Sequence, residues 1–226
     1  MGHPIQRIAQ TEQDPLRRAA DRALLLERVA IGLAHEGKNP LHNMVLHLQL
    51  MAEKLSQPGR QQVGSPIQKH LSALRDGIGR VDHLLKAFGE FAAPDHLPPD
   101  LGAAVHRALQ LFAYDARRSG VQFQHKGPAA LVVDSESHVL GDLVGHALVA
   151  CIELCREGGQ VSLALEPRGA VVVLDLRAAG GLGSREQALP HLDAARSLAG
   201  HAACELSIDA PPAGGARLSL SFLHSR

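Results

Sequence analysis

Apolar residues near the start of the chain recur at steps of four and three. Leu41, Val45, Leu48, Ala52 and Leu55 make one such run, which extends backwards through Ala34 and Ile31. That alternation keeps the residues on one side of a helix and is the seam of a coiled-coil-like bundle. A second run, Ile67, Leu71, Leu74, Ile78, Val81, Leu85 and Phe88, repeats without a break. Between the runs, Gln57-Pro58-Gly59 and Gly64-Ser65-Pro66 supply the chemistry that stops one helix and starts the next. Asp14 followed by Pro15 predicts a helix start, because Asp accepts from free N–H groups and Pro loses nothing at the first helical position. The pattern therefore predicts a tail over 1–13, a first helix from there to about Ser56, and an antiparallel helical hairpin over 14–93. Each helix carries an apolar stripe that needs more than one neighbour. Pairing two hairpins into a four-helix bundle covers it, so the sequence predicts a homodimer.

Pro94 and Pro98-Pro99 end the hairpin, and the pattern then changes in kind. Leu101 to Arg118 reads as a helix, Val121 to Phe123 and Ala130 to Val133 as short strands, and His138 to Arg156 as a buried helix. Val161 to Leu165 and Val171 to Leu176 read as strands, His191 to Ala199 as a helix, and Cys204 to Ile208 and Leu218 to Phe222 as strands. Turns at Pro167-Arg168-Gly169 and Pro211 to Gly215 make hairpins of them. The expected class is α+β, with a helical hairpin followed over 100–226 by a mixed sheet whose helices cover one face.

Lys plus Arg and Asp plus Glu each total 23, so no net charge draws the chain to nucleic acid or an anionic membrane. With no Trp, one Tyr (Tyr114) and five Phe, base-stacking surfaces are scarce and the core must be aliphatic. No apolar run reaches the ~20 residues of a membrane span, and the first residues lack a secretory apolar core, so the expected location is cytoplasmic. Cys151, Cys155 and Cys204 form no even framework of bridges and read as reduced core thiols. Fourteen histidines include no pair or Cys/His cluster at ligand spacing, so no metal site is expected.

The segment Leu33-Ala34-His35-Glu36-Gly37-Lys38-Asn39-Pro40-Leu41 resembles the H-box of sensor histidine kinases, L-[AS]-H-E-x-[KR]-N-P-L, on the first helix of a dimerisation and phosphotransfer hairpin. His35 lies one position beyond Ala34 of the seam and is thereby turned to the bundle's flank. Imidazole, with an ordinary pKa of about 6.5, is a competent nucleophile near neutral pH. The resemblance implies that His35 carries a phosphoryl group and that Glu36 orients or deprotonates the ring. Asn39, one turn on, belongs to the family's E-x-x-N pattern linked to dephosphorylating the partner; a capping role for Asn39 stays open. Pro40 removes a helix donor just past the acceptor, and Gly37 departs from the family's larger aliphatic residue.

The second half is similar to the ATP-binding domain of the same kinases in element order, with its motifs degraded. The family's N-box, N-L-x-x-N-A, reads Asp142-Leu143-Val144-Gly145-His146-Ala147, so both asparagines are replaced. At the D-x-G-x-G turn stands Arg177-Ala178-Ala179-Gly180-Gly181, a cation for the adenine-binding carboxylate. Ser184 to His191 is too short for a phosphate-covering lid. The type of protein this points to is a ChpT-like dimeric histidine phosphotransferase. Such a protein takes the phosphoryl group from one receiver domain's aspartate and passes it to another, with an upstream hybrid histidine kinase as a further partner. It needs no cofactor of its own, because the receiver supplies the Mg²⁺. Receiver docking is expected on His42, Asn43, Leu46, His47 and Leu50, with Leu46 and Leu50 packing on the second domain as the alternative. The alternative functions are a working cytoplasmic kinase binding ATP through a divergent site, a non-catalytic adaptor, or a phosphatase acting through Glu36 and Asn39.

Overall fold

The computed structural model describes residues 4–55, 64–93, 98–181, 183–209 and 215–225. The expected turn residues Gln57 to Gly59, Pro94 and Pro211 to Ala213 lie outside them. Helices α1 (Pro4–Leu55) and α2 (Gly64–Ala92) form the hairpin. They run antiparallel: Arg22 of α1 reaches the carbonyl of Ala92, Met44 lies against Gly77, and His47 meets His70. A Cβ on Gly77 would stand 2.6 Å from Met44 Cγ, so this crossing needs glycine. The first helix does not start at Asp14; it runs unbroken through Pro15, and the residues from position 4 on, expected as a tail, are helical. Pro15 removes one donor, and the helix formers around it carry the helix across that gap.

The rest of the chain is a two-layer α+β domain. Its elements are α3 (Leu101–Leu111), α4 (Ala113–Arg118), β1 (Gln122–Lys126), α5 (Ser137–Leu154), β2 (Gln160–Arg168), β3 (Val171–Ala179), α6 (Arg185–His201), β4 (Glu205–Asp209) and β5 (Ala216–Leu223). The five-stranded sheet has the order β1-β2-β3-β5-β4, with β1 parallel to β2 and every other pairing antiparallel. Alternate residues of the strands, such as Val161, Leu163, Leu165 and Leu218, Leu220, Phe222, are buried beneath the helices. The central helix is α5, apolar on nearly every side. Among the described residues it alone is long and apolar enough to cross a bilayer, yet 78% of that stretch is buried inside the protein, where it forms the core.

Three local readings differ from the pattern, each for a visible reason. The helix expected over 101–118 is interrupted at Phe112 alone, whose buried ring meets Phe91 edge to face at 6.4 Å; α4 follows directly, and its Tyr114 and Arg117 reach α1. The strand expected at 130–133 shrinks to two bridges, because Leu131 spends its N–H on the Asp100 carboxylate and its carbonyl on the N–H of Leu101, completing the start of α3. Helix α6 begins earlier than His191, where Ser184 accepts from the N–H of Gln187, and so absorbs the segment read as a vestigial lid.

Candidate functional site

His35 sits exposed on the flank of α1, facing α4 of the second domain. Its ring stacks on Tyr114 of α4, with centroids 4.5 Å apart and planes 5° from parallel. Gly32, one turn earlier, lets α4 approach: a Cβ there would already touch the Leu111 carbonyl at 3.4 Å and Tyr114 Cβ at 3.6 Å. The Glu36 carboxylate is ion-paired with Arg117, again from α4, and not hydrogen-bonded to the imidazole. The ring-orienting role that the resemblance assigns to Glu36 is therefore not made in this conformation. One turn below α4's contacts, Arg28 joins the buried carboxylates of Asp115 and Glu153. Burial works against the Arg28 charge, but its two partners outweigh it and raise the pKa.

The other predicted residues of α1 divide between two grooves. Glu36, Asn39 and Asn43 line a polar groove of about 860 Å³ with Arg75, Asp76, Arg80 and His83 of α2. His42 lines a second, apolar groove beside Leu41, Val45 and Leu85. Leu46 is exposed and Leu50 half-buried, and the described contacts of the second domain fall on α1 nearer its start. His47 is bonded within the hairpin: its Nδ1 lies 3.0 Å from that of His70, whose Nε2 lies 2.9 Å from Lys54 Nζ. Leu41, Val45, Leu48, Leu55, Leu71, Ile78 and Leu85 are all exposed in the single chain, a continuous apolar stripe.

The N-box positions face α1. Arg22 donates to Asp142 at 2.5 Å and to the carbonyls of Phe91 and Ala92, closing α2 at the same time. Burial raises the Asp142 pKa in spite of the opposing pull of Arg22. Leu25, fully buried, presses on the same face, with its Cδ1 3.2 Å from where a Cβ on Gly145 would stand. His146 is fully buried and its Nδ1 lies 2.9 Å from that of His191 on α6. Burial, then the neighbouring ring, pushes His146 down to about 3; burial, then Arg28, pushes His191 down to about 4. Both rings are neutral at pH 7.

Arg177 does not join Asp142 and His146. It lies on the open face of the sheet, bonded to Asp175, which also takes a two-pronged contact from Arg217. Burial opposes ionisation of Asp175, yet Arg217 and Arg177 outweigh it and hold the carboxyl below its usual range. The strand's alternation turns Ala178, not Arg177, toward the helices. Gly181, at positive φ, packs where a Cβ would collide with the carbonyl of Arg156 after α5.

Tyr114, Arg117, Arg22, Arg28 and His191 were not legible as site residues. Each meets its partner across at least 45 positions of sequence, and none sits in a motif; that Tyr114 is the chain's only tyrosine was the one available signal.

No protein-family model matches the chain. It is 24% identical over 170 residues to the sensor protein CopS of Pseudomonas syringae pv. tomato, covering 70% of this chain and 34% of CopS. It is 28% identical over 188 residues to the two-component sensor PprA of Pseudomonas aeruginosa, covering 74% of this chain and 20% of PprA. The chain thus spans about a third or less of these relatives. Among solved structures, the catalytic domain of histidine kinase ThkA aligns with a TM-score of 0.47 and 13% identity, over 55% of this chain and 94% of that one. A bacterial phosphotransferase aligns with a TM-score of 0.47 and 14% identity, over 89% and 96%. The histidine kinase AdeS of Acinetobacter baumannii aligns with a TM-score of 0.46 and 10% identity, over 85% and 98%. In sequence, then, the chain is similar to two-component sensor proteins over about seven tenths of its length.

Proposed function

We propose that this protein is a histidine phosphotransferase of a two-component phosphorelay, accepting a phosphoryl group at His35 from one receiver aspartate and donating it to another. One observation carries the reading: within the H-box-like segment His35 is exposed, and its ring nitrogens make no hydrogen bond among the described residues. A visiting acyl phosphate can meet either nitrogen along the ring edge. The nitrogen lone pair forms the N–P bond, the P–O bond to the aspartate breaks, and the carboxylate leaves with its electrons. The hydrogen on the other nitrogen passes to water. The receiver brings the Mg²⁺ and the acidic cluster that holds it.

Nucleotide does not fit the residues present. The two N-box positions offer a carboxylate already paired with Arg22 and an imidazole already paired with His191, and Leu25 fills the face between them. A carboxylate repels the phosphates that an amide would bind. The relay reading needs no ATP, and the exposed stripe through Leu48 and Ile78 fits a second copy of the chain closing a four-helix bundle. In this reading the type is that of the ChpT-like dimeric phosphotransferases, and the partners are receiver domains and a hybrid kinase upstream.

The test is incubation with a panel of phosphorylated receiver domains. Label is expected on the wild-type chain and absent from His35→Gln. Label arising from ATP without a receiver, or label that survives His35→Gln, refutes the proposal.

A further inference from the structure

The geometry points to Tyr114 as the residue that orients the acceptor imidazole, a positioning role carried out from the second domain. This rests on the reading of His35 as the acceptor. An exposed histidine on a helix normally turns about two side-chain bonds, and a ring free to turn presents its nitrogen in the attacking direction only part of the time. His35 lacks the usual remedy, a carboxylate hydrogen-bonded to the far nitrogen, because Glu36 is committed to Arg117. What holds the ring is a stack on its face, 4.5 Å between centroids and 5° from parallel. A stack of this kind fixes the ring plane without consuming either nitrogen, since the lone pair of an imidazole lies in the plane and points out of the edge. One face is closed to water and both edges stay open to a partner.

The surrounding structure is built to keep Tyr114 there. Gly32 packs directly against α4, where a Cβ would lie 3.6 Å from Tyr114 Cβ, and Asp115 beside Tyr114 is tied to Arg28. Arg117 completes the clasp on Glu36. Three contacts from one short helix, through Tyr114, Asp115 and Arg117, thus converge on a single stretch of α1, and the second domain contributes to the chemistry by fixing the acceptor.

The test pairs spectroscopy with kinetics on the full chain. In the protein alone, the carbon-bound ring protons of His35 are expected upfield of free histidine, shifted by the tyrosine ring current, and to return toward free values in Tyr114→Ala. With a phosphorylated receiver, Tyr114→Ala is expected to lower the maximal rate of transfer to His35 about tenfold, with half-saturating receiver concentration unchanged, while Tyr114→Phe restores the rate by keeping the ring. Thermal unfolding of each variant separates misfolding from mispositioning. Wild-type maximal transfer in Tyr114→Ala, a loss that Phe does not restore, or no upfield shift in the wild type overturns the inference. Absence of label on the wild type itself would instead refute the acceptor role of His35, an outcome the proton shifts do not depend on.

Discussion

Replacing Arg22 by Met should cost the protein about 3 kcal/mol, and the loss should depend on pH. Arg22 gives Asp142 a 2.5 Å contact and gives the carbonyls of Phe91 and Ala92 contacts of 3.2 and 2.9 Å. Removing one partner of a buried ion pair costs about 3 to 5 kcal/mol. The guanidinium is 25% exposed, so screening trims that to the lower end. Met keeps most of the apolar stem, which leaves the charge and its hydrogen bonds as the difference. Asp142 is already raised by burial, and without Arg22 it must rise further. In the variant the folded state then binds a proton that the unfolded state releases above its ordinary pKa of about 3.9. The variant's deficit is therefore largest at neutral pH and shrinks as pH falls toward that value. Urea unfolding of wild type and variant at several pH values between 8 and about 4.5 measures the deficit as a difference, in which other titrations cancel. A deficit below about 1 kcal/mol at pH 7, or one that does not shrink at low pH, refutes the account of this pair.

Three further outcomes follow from the same interfaces. The His146–His191 pair has folded pKa values of about 3 and about 4, below the ordinary 6.5. Its stabilising effect is thus complete above pH 6.5 and is lost as pH falls toward 4, by about 1.4 kcal/mol per pH unit for each proton taken up on unfolding; the stability profile of a His146→Leu/His191→Leu variant should be flatter over that range. The double variant Asp142→Asn/His146→Asn, which installs both asparagines, should still fail to bind ATP in calorimetry, because Leu25 occupies the face. The proposed pairing of two copies along the exposed stripe predicts a dimer in sedimentation for the wild type and monomers for Ile78→Glu, which would set two like charges against each other there, with helical content largely kept.

The two halves of the chain were legible to different degrees. Hairpin, sheet and the order of elements followed from periodicity, because a period of 3.5 and a period of 2 are local properties that each stretch of sequence carries by itself. His35, Glu36 and Asn39 could be put forward together for a similar reason, being neighbours on one turn of one helix. Errors of extent arose where a backbone group had a distant claimant, as at Leu131, whose N–H goes to Asp100, or where a helix is interrupted at a residue packed on a distant ring, as at Phe112 against Phe91.

What the chain alone determined, then, was a helical hairpin with an apolar stripe, a mixed-sheet domain behind it, and one histidine set apart by its neighbours. Only the tertiary structure decided what those neighbours do. It gave Glu36 to Arg117, set Tyr114 against the imidazole, and turned the altered N-box into a seat for α1. These pairings join residues 79 to 120 positions apart. Contacts at that range are selected by the packing of whole elements, and a local pattern holds no record of which side chain will arrive opposite which.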